Sequence, residues 1–496
     1  MKNIITNLLF VVMALGLFTQ CEEQIETTQP DNNPPDLALS KLSNFSQLIN
    51  SPYDRMQAFN YLSQYHMLAG DALTDNAKLV NNTGRYVGEL VNQNGTHYNY
   101  WGLYAAINDC NIILDRIDTL YKIPTQNTAA NRVTIRTIVA QAYFLRAMAY
   151  FDMLRVYGYE PNQIVNNWDK GVVLRDKPTF DVSTIDKRPR ATVEDGYEFV
   201  ESDLLKAIDS LAVAGTTIPN SPFRPIRAAA HALLARVYLH WGKDAEAITQ
   251  ANLAISTKPA AIRLATAAEY PGMWNTTIAN GRLESLFELK ITPGSSGSNA
   301  DWSTVDGVNN SLHSLTTVGI SASSQFVLAA SNSLFNAYEP NDVRKSLWTT
   351  VNVRGQEFQM CLKWSGSGTG AGSPGFWADN IPVIRLPEVY MILAEANFNL
   401  GNEPAARTAL NTIRSNRGLP ALTAATSGVD LFNTILNERR VEFAFEGQRW
   451  FDLKRNGLDI PKENADPVAF TDFRVLAPIP VNQIILNPII EQNPGY

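Results

Sequence analysis

Between His231 and Pro259 the chain reads HALLARVYLHWGKDAEAITQANLAISTKP, two helical stretches joined by a glycine turn, with short side chains where the two must meet. Leu234, Ala235 and Tyr238 fall on the first helix, Gly242 on the turn, Ala247 and Ala254 on the second helix, and Pro259 ends the unit. Helix axes approach closely only where the side chains between them are small, so the alanines fix both the pairing and its tightness. A second copy runs from Tyr390 to Gly418, with Leu393, Ala394, Gly401, Ala406 and Leu410 in matching places, and departs from the pattern at Asn397 and Ile413. Repeats of this size need roughly three neighbours to bury a continuous core. Two copies therefore require other helices to cover them.

Those helices are legible as periodic apolar stripes. Tyr104, Ile107, Cys110 with Asn111, Leu114, Ile117 and Tyr121 recur every three or four positions, and residues 135 to 157 are apolar on more than one side, as in a sandwiched helix. Thr192-Val193-Glu194-Asp195 forms a capping box ahead of the stripe Tyr197, Val200, Leu204, Ile208 and Leu211. The two copies match the tetratricopeptide spacing, and units of that kind are expected near 101–157, 192–261 and 388–418. The fold class is mainly α, a helical scaffold with tetratricopeptide-like helix pairs. The stretch from about 262 to 384 differs: it holds ITPGSSGSNADW and KWSGSGTGAGSPGFW and five of the nine tryptophans, Trp274, Trp302, Trp348, Trp364 and Trp377. It reads as a loop-rich insertion of the kind that usually carries function, with short strands around Leu283 to Ile291 and Gln356 to Lys363.

At the other end, a single charge, Lys2, precedes an apolar run from Leu8 to Leu17 and then Cys21. That run is half the length needed to span a bilayer, about 20 residues, and has the layout of a signal peptide over 1–20. Cys21 directly after it is the expected lipidation site. Residues 22 to 37, EEQIETTQPDNNPPDL, are acidic, rich in Pro and Asn and poor in apolar side chains, so 21–37 is a lipid anchor with a flexible tether. Residues 38–496 are expected to form one body. Without the leader, 40 basic side chains oppose 48 acidic ones, which leaves no basic cluster to neutralise phosphates and argues against nucleic-acid binding. Cys110, inside an apolar helical stretch, reads as a buried free thiol.

Catalytic patterns are absent. Glu438, Glu442 and Glu446 share one helix side at spacings of four, a carboxylate grouping that glycoside hydrolysis also uses. Arg439, Arg440 and Arg449 interleave with them, however, and alternating charge on a helix points to ion pairs that fix packing. His66, His97, His231, His240 and His313 show no metal spacing, and no cofactor motif occurs. Aromatic side chains in loops are more informative. A sugar presents a C–H face and a hydroxyl edge, so its site needs flat rings beside Asn, Asp or Arg. Asp75, Asn81, Arg85, Tyr98, Tyr100 and Trp101 offer that mix, with Tyr98 and Tyr100 as exposed platforms, and Trp302 and Trp364 stand beside Gly/Ser-rich stretches.

Four segments resemble the SusD/RagB family of surface lipoproteins: the lipobox at Cys21; Pro382 to Tyr390 leading into Leu393-Ala394-Glu395-Ala396; the run from Glu438 to Leu453, ERRVEFAFEGQRWFDL; and Pro478-Ile479-Pro480 with the closing Gln492 to Tyr496. Glu22 and Glu23 resemble the export signal of Bacteroidota surface lipoproteins. The resemblance implies a lipid-anchored protein on the outer membrane, facing the exterior and seated on a SusC-like TonB-dependent transporter, with four tetratricopeptide-like units, of which periodicity alone supports two, and a ligand-binding face built from the loop-rich insertion at about 262–384. It also implies non-catalytic capture of oligosaccharide nutrients, a peptide ligand or a glycoside hydrolase being the alternatives.

Overall fold

The computed structural model describes residues 39–181, 185–212, 222–274, 281–291, 312–318, 325–364 and 379–496. Cys21, the tether, Trp302 and Trp377 lie outside them. The long helices are α1 Leu103–Arg116, α2 Ala129–Tyr157, α3 Val193–Leu211, α4 Arg227–Trp241, α5 Asp244–Thr257, α6 Leu386–Asn399, α7 Glu403–Asn416 and α8 Gly428–Glu442, followed by the short α9 Arg449–Arg455 and α10 Val481–Leu486. The fold is mainly α, and no described helix is long and apolar enough to cross a membrane.

Hairpin α4/α5 turns on Gly242, whose φ of 77° is the left-handed conformation a side chain would resist. Ala247, Ala251 and Ala254 are fully buried along the seam, as the close approach of the two helices requires. Hairpin α6/α7 repeats the arrangement, with Pro387 in the first turn of α6, where its missing N–H is not needed. α5 packs on α6, so the two hairpins stand side by side. α2 is 29 residues long. Its last two turns are buried on every side, between α1 and α3. The Thr192 hydroxyl accepts the Asp195 N–H at 3.0 Å and starts α3. Thr192→Ala should lower stability by about 1 kcal/mol, read as a shift in the urea midpoint at unchanged slope.

Two antiparallel sheets complete the body. Strands β1 Ala77–Leu79, β3 Leu328–Ala330, β4 Trp348–Val353 and β5 Gln356–Cys361 pair in the order β1-β3-β5-β4, and β2 Ser285–Leu289 pairs with β6 Ile381–Arg385. The strands expected around 283–291 and 356–363 are present and slightly shorter. The stretch expected to be loop-rich thus also supplies β2 to β6, because Leu286, Phe287, Leu328 and Ile384 are apolar enough to bury both sheets.

β6 delivers Arg385 into a buried ionic network. Its Nε donates to Glu446 at 2.8 Å, and its Nη1 donates to Glu284 and Glu442 at 2.9 Å each. Arg417 reaches Glu284 at 2.8 Å and Glu442 at 3.0 Å. Arg344 reaches Glu438 at 2.8 Å, Arg414 holds the other oxygen of Glu438, and Lys363 holds Glu446 at 2.6 Å. The three glutamates are therefore ion-paired as expected, but with different partners. Their cations come from β6, α7 and the strand region, while Arg439 pairs with Asp452 and both Arg440 and Arg449 pair with Asp75. α8 ends at Glu442, and Phe445 takes a φ of 61°. That break turns Glu446 back toward Arg385 and removes the local pairing an unbroken helix would give.

Candidate functional site

The N-terminal end of α1 carries Trp101 and, on one helix face at spacings of four and three, Tyr104, Asn108 and Asn111. That polar seam holds the extended segment 172–179. The Tyr104 hydroxyl donates to the Val173 carbonyl at 2.7 Å, and the Asn108 side chain exchanges two hydrogen bonds with the Thr179 backbone at 2.7 and 3.0 Å. The Asn111 amide donates to the Arg175 carbonyl at 3.0 Å and in turn accepts from Arg146 at 2.6 Å. Each bond satisfies a loop backbone group that no ladder would otherwise pair.

Between this wall and the C-terminal segment lies a cavity of about 640 Å³, a volume suited to a small-molecule or short oligomeric ligand. Trp101, Tyr104 and Ile107 line one side, Arg175, Lys177, Thr179 and residues 185–187 the second, and Gln483, Leu486, Asn487 and Ile490 the third. Trp101 is half-buried, its ring packed edge-on to Tyr157 with centroids 5.6 Å apart. The Asn487 amide donates to the Arg188 carbonyl at 2.9 Å, while its Oδ1 is buried without a hydrogen-bond partner. A flat ring and several polar and charged side chains around one hollow can hold a ligand with both a C–H face and hydroxyls.

Of the ligand candidates singled out from sequence that fall among the described residues, Trp101 alone lines this cavity; Trp302 lies outside the described residues. Tyr98 and Tyr100, expected as exposed platforms, are each 1% exposed. Tyr98 stacks on Phe451 with centroids 5.5 Å apart, and the Tyr100 hydroxyl sits 2.6 Å from His66 Nδ1. The extended backbone at 98–100 turns both rings inward and leaves Asn99 outside, so the rings gain the burial that large aromatics favour. Trp364, expected beside a loop, is wholly buried, edge-on to Trp274 and donating its indole N–H to the Phe445 carbonyl at 3.1 Å. Asp75 is the buried counter-ion of Arg440 and Arg449. Asn81 donates to the Gln325 and Phe326 carbonyls at 2.9 and 3.1 Å, which ties β1 to the approach of β3. Arg85 is half-buried on the same side of the molecule as β1, away from the cavity lining. Sequence reading missed Asn108, Asn111, Lys177, Lys187, Gln483 and Asn487; the polar positions on the otherwise apolar α1 were the available signal.

Cys110 and Cys361 are free and buried, and burial pushes both thiols up, so neither acts as a thiolate. Among the described residues no His, Cys, Asp and Glu group has the arrangement of a metal site.

Residues 352–496 match the sequence model described as the SusD family, and residues 25–239 match one described as starch-binding, associating with outer membrane. The chain is a SusD-like protein. A SusD-like protein of Formosa agariphila, P38, is 24% identical across all of this chain and 99% of its own length. One of Bacteroides ovatus is also 24% identical, over 90% of this chain and 82% of its own. The crystal structure of a SusD superfamily protein from Bacteroides thetaiotaomicron covers 92% of this SusD-like chain and 100% of its own, at 26% identity and a TM-score of 0.75.

Proposed function

We propose that the protein captures oligosaccharides at the outer surface of the outer membrane, held there by lipid on Cys21, and passes them without chemical change to a TonB-dependent transporter. Carbohydrate binding in nutrient uptake is the role that SusD-like membership implies. The observation that carries the reading for this chain is the Trp101 cavity, where the half-buried tryptophan shares one lining with Asn108, Gln483, Asn487, Lys177 and Lys187. Capture without catalysis fits the state of Glu438, Glu442 and Glu446, which are buried and saturated by cations, so they have neither the access nor the free lone pairs that glycosidic cleavage requires.

Isothermal titration against glycan and peptide panels tests the reading. A glycan should bind with millimolar to micromolar affinity, and Trp101→Ala should weaken it about ten-fold, ~1.4 kcal/mol, through loss of ring contact. Binding to peptides alone, or glycan binding indifferent to Trp101→Ala, would count against it.

A further inference from the structure

The rim of the Trp101 cavity carries a charge opposite to that of the whole chain. The protein has a formal net charge of −7, yet the wall formed by 175–181 and 185–188 presents Arg175, Lys177, Lys187 and Arg188 against Asp176, Asp181 and Asp186. Asp176 and Asp186 are already engaged. Arg175 Nη1 donates to Asp186 Oδ1 at 2.8 Å, Arg188 Nε takes its other oxygen, and Arg188 also lies 3.7 Å from Asp176. These guanidiniums hold the Asp186 carboxyl below its ordinary range. What remains is Lys177 and Lys187, two exposed ammonium groups that line the cavity and have no hydrogen-bond or ion-pair partner among the described residues.

We propose, resting on the capture reading above, that the saccharide is anionic, a uronate or sulfate-bearing oligosaccharide whose negative groups meet Lys177 and Lys187 while a ring stacks on Trp101. Neutral sugars offer two unpaired ammonium groups only hydroxyl acceptors, whereas a carboxylate or sulfate ester offers charge-assisted bonds, roughly twice as strong. Trp101, Lys177 and Lys187 line one cavity, so a single oligosaccharide seated in it meets all three. The Arg175–Asp186–Arg188 arrangement keeps Asp186, the acid adjacent to Lys187, from neutralising the lysines itself.

The test titrates the purified full chain with an oligogalacturonate, a sulfated galactan oligosaccharide and a neutral galactan oligosaccharide of matched length. At least one anionic probe should bind about ten-fold more tightly than the neutral one, and that gap should close as salt rises from about 0.05 to 0.5 M and the screening length contracts. Combining Lys177→Ala with Lys187→Ala should weaken anionic binding about ten-fold more than neutral binding, and so close the same gap. Preference for the uronate or for the sulfate ester identifies which anion the site takes. Equal binding of the neutral probe, or anionic binding unchanged in the double variant, would overturn the proposal. If the neutral probe binds and depends on Trp101, capture stands and only the anion assignment falls. If none of the three binds, the anion assignment falls, and capture is decided by the wider glycan and peptide panels.

Discussion

An Arg385→Met chain should lose about 3–5 kcal/mol of folding stability, the cost of stripping one partner from a buried ion pair. Arg385 is fully buried and donates to Glu284, Glu442 and Glu446. Methionine fills similar volume, so the loss is electrostatic rather than a cavity. Burial alone would raise the Glu442 carboxyl; Arg417 and Arg385 outweigh that and hold it well below the usual carboxylate range. Removing Arg385 leaves these carboxylates charged and under-compensated in a dry interior. Adding Glu446→Gln to Arg385→Met should recover part of the loss, since one orphaned charge disappears. Urea unfolding at neutral pH is the measurement, and a midpoint equal to that of the parent would refute this account of the network.

Acid should unfold the protein in two stages, the first beginning near pH 6.5. Burial, the leading cause at every histidine, lowers all five: His66 and His313 to about 4, His97 to about 3, and His231 and His240 downward as well. Unfolded histidine titrates near 6.5. As pH falls from there toward 4, the unfolded chain binds protons that the folded one refuses, so stability declines by up to about 1.4 kcal/mol per pH unit for each group. Asp71 acts in the opposite sense. Burial raises it to about 6, so the folded state takes up a proton over part of the same window and offsets about one histidine. The second stage begins where the depressed carboxyls of Glu442, Asp152 and Asp452 protonate. Their stabilisation is complete above the unfolded carboxyl range, near 4, and is lost as pH falls through their lower folded values. Calorimetry at pH 5.5 in buffers of different ionisation enthalpy should show uptake of about three to four protons on unfolding. A melting temperature flat from pH 7 to 5, with no proton uptake, would rule out neutral buried histidines.

Together these effects describe a protein with a strongly ionic interior, while the cavity proposed for the ligand lies at the edge of the helical body. The run from Glu438 to Leu453, which carries the strongest family resemblance, is where α8, α9, β6 and α7 are cross-linked by charge. The cavity draws on none of it. Substitutions on the cavity wall at 175–179 and 185–187 should therefore leave the network that holds the scaffold undisturbed.

The amino-acid sequence by itself determined the helices and their hairpins. Apolar positions repeating every three or four residues, the Thr192 cap, Gly242 and Gly401 at turns, and alanines at the seam all act within one or two turns of the chain, and tertiary contacts reinforced them. It also determined that the three glutamates serve packing, since cations abound around them. Tertiary structure alone decided which cations those were, because Arg385, Arg417, Arg344 and Lys363 arrive from segments 25 to 98 residues away. It likewise decided which rings face solvent. Tyr98, Tyr100 and Trp364 have the loop setting of exposed platforms, yet Phe451, His66 and Trp274 close over them from elsewhere in the chain. The cavity itself joins Asn108 to Thr179, 71 residues on, and Asn487 to Arg188, 299 residues back. Periodicity reports the face a residue takes on its own element. Whether another element covers that face depends on contacts between segments far apart in the chain, which no local pattern records.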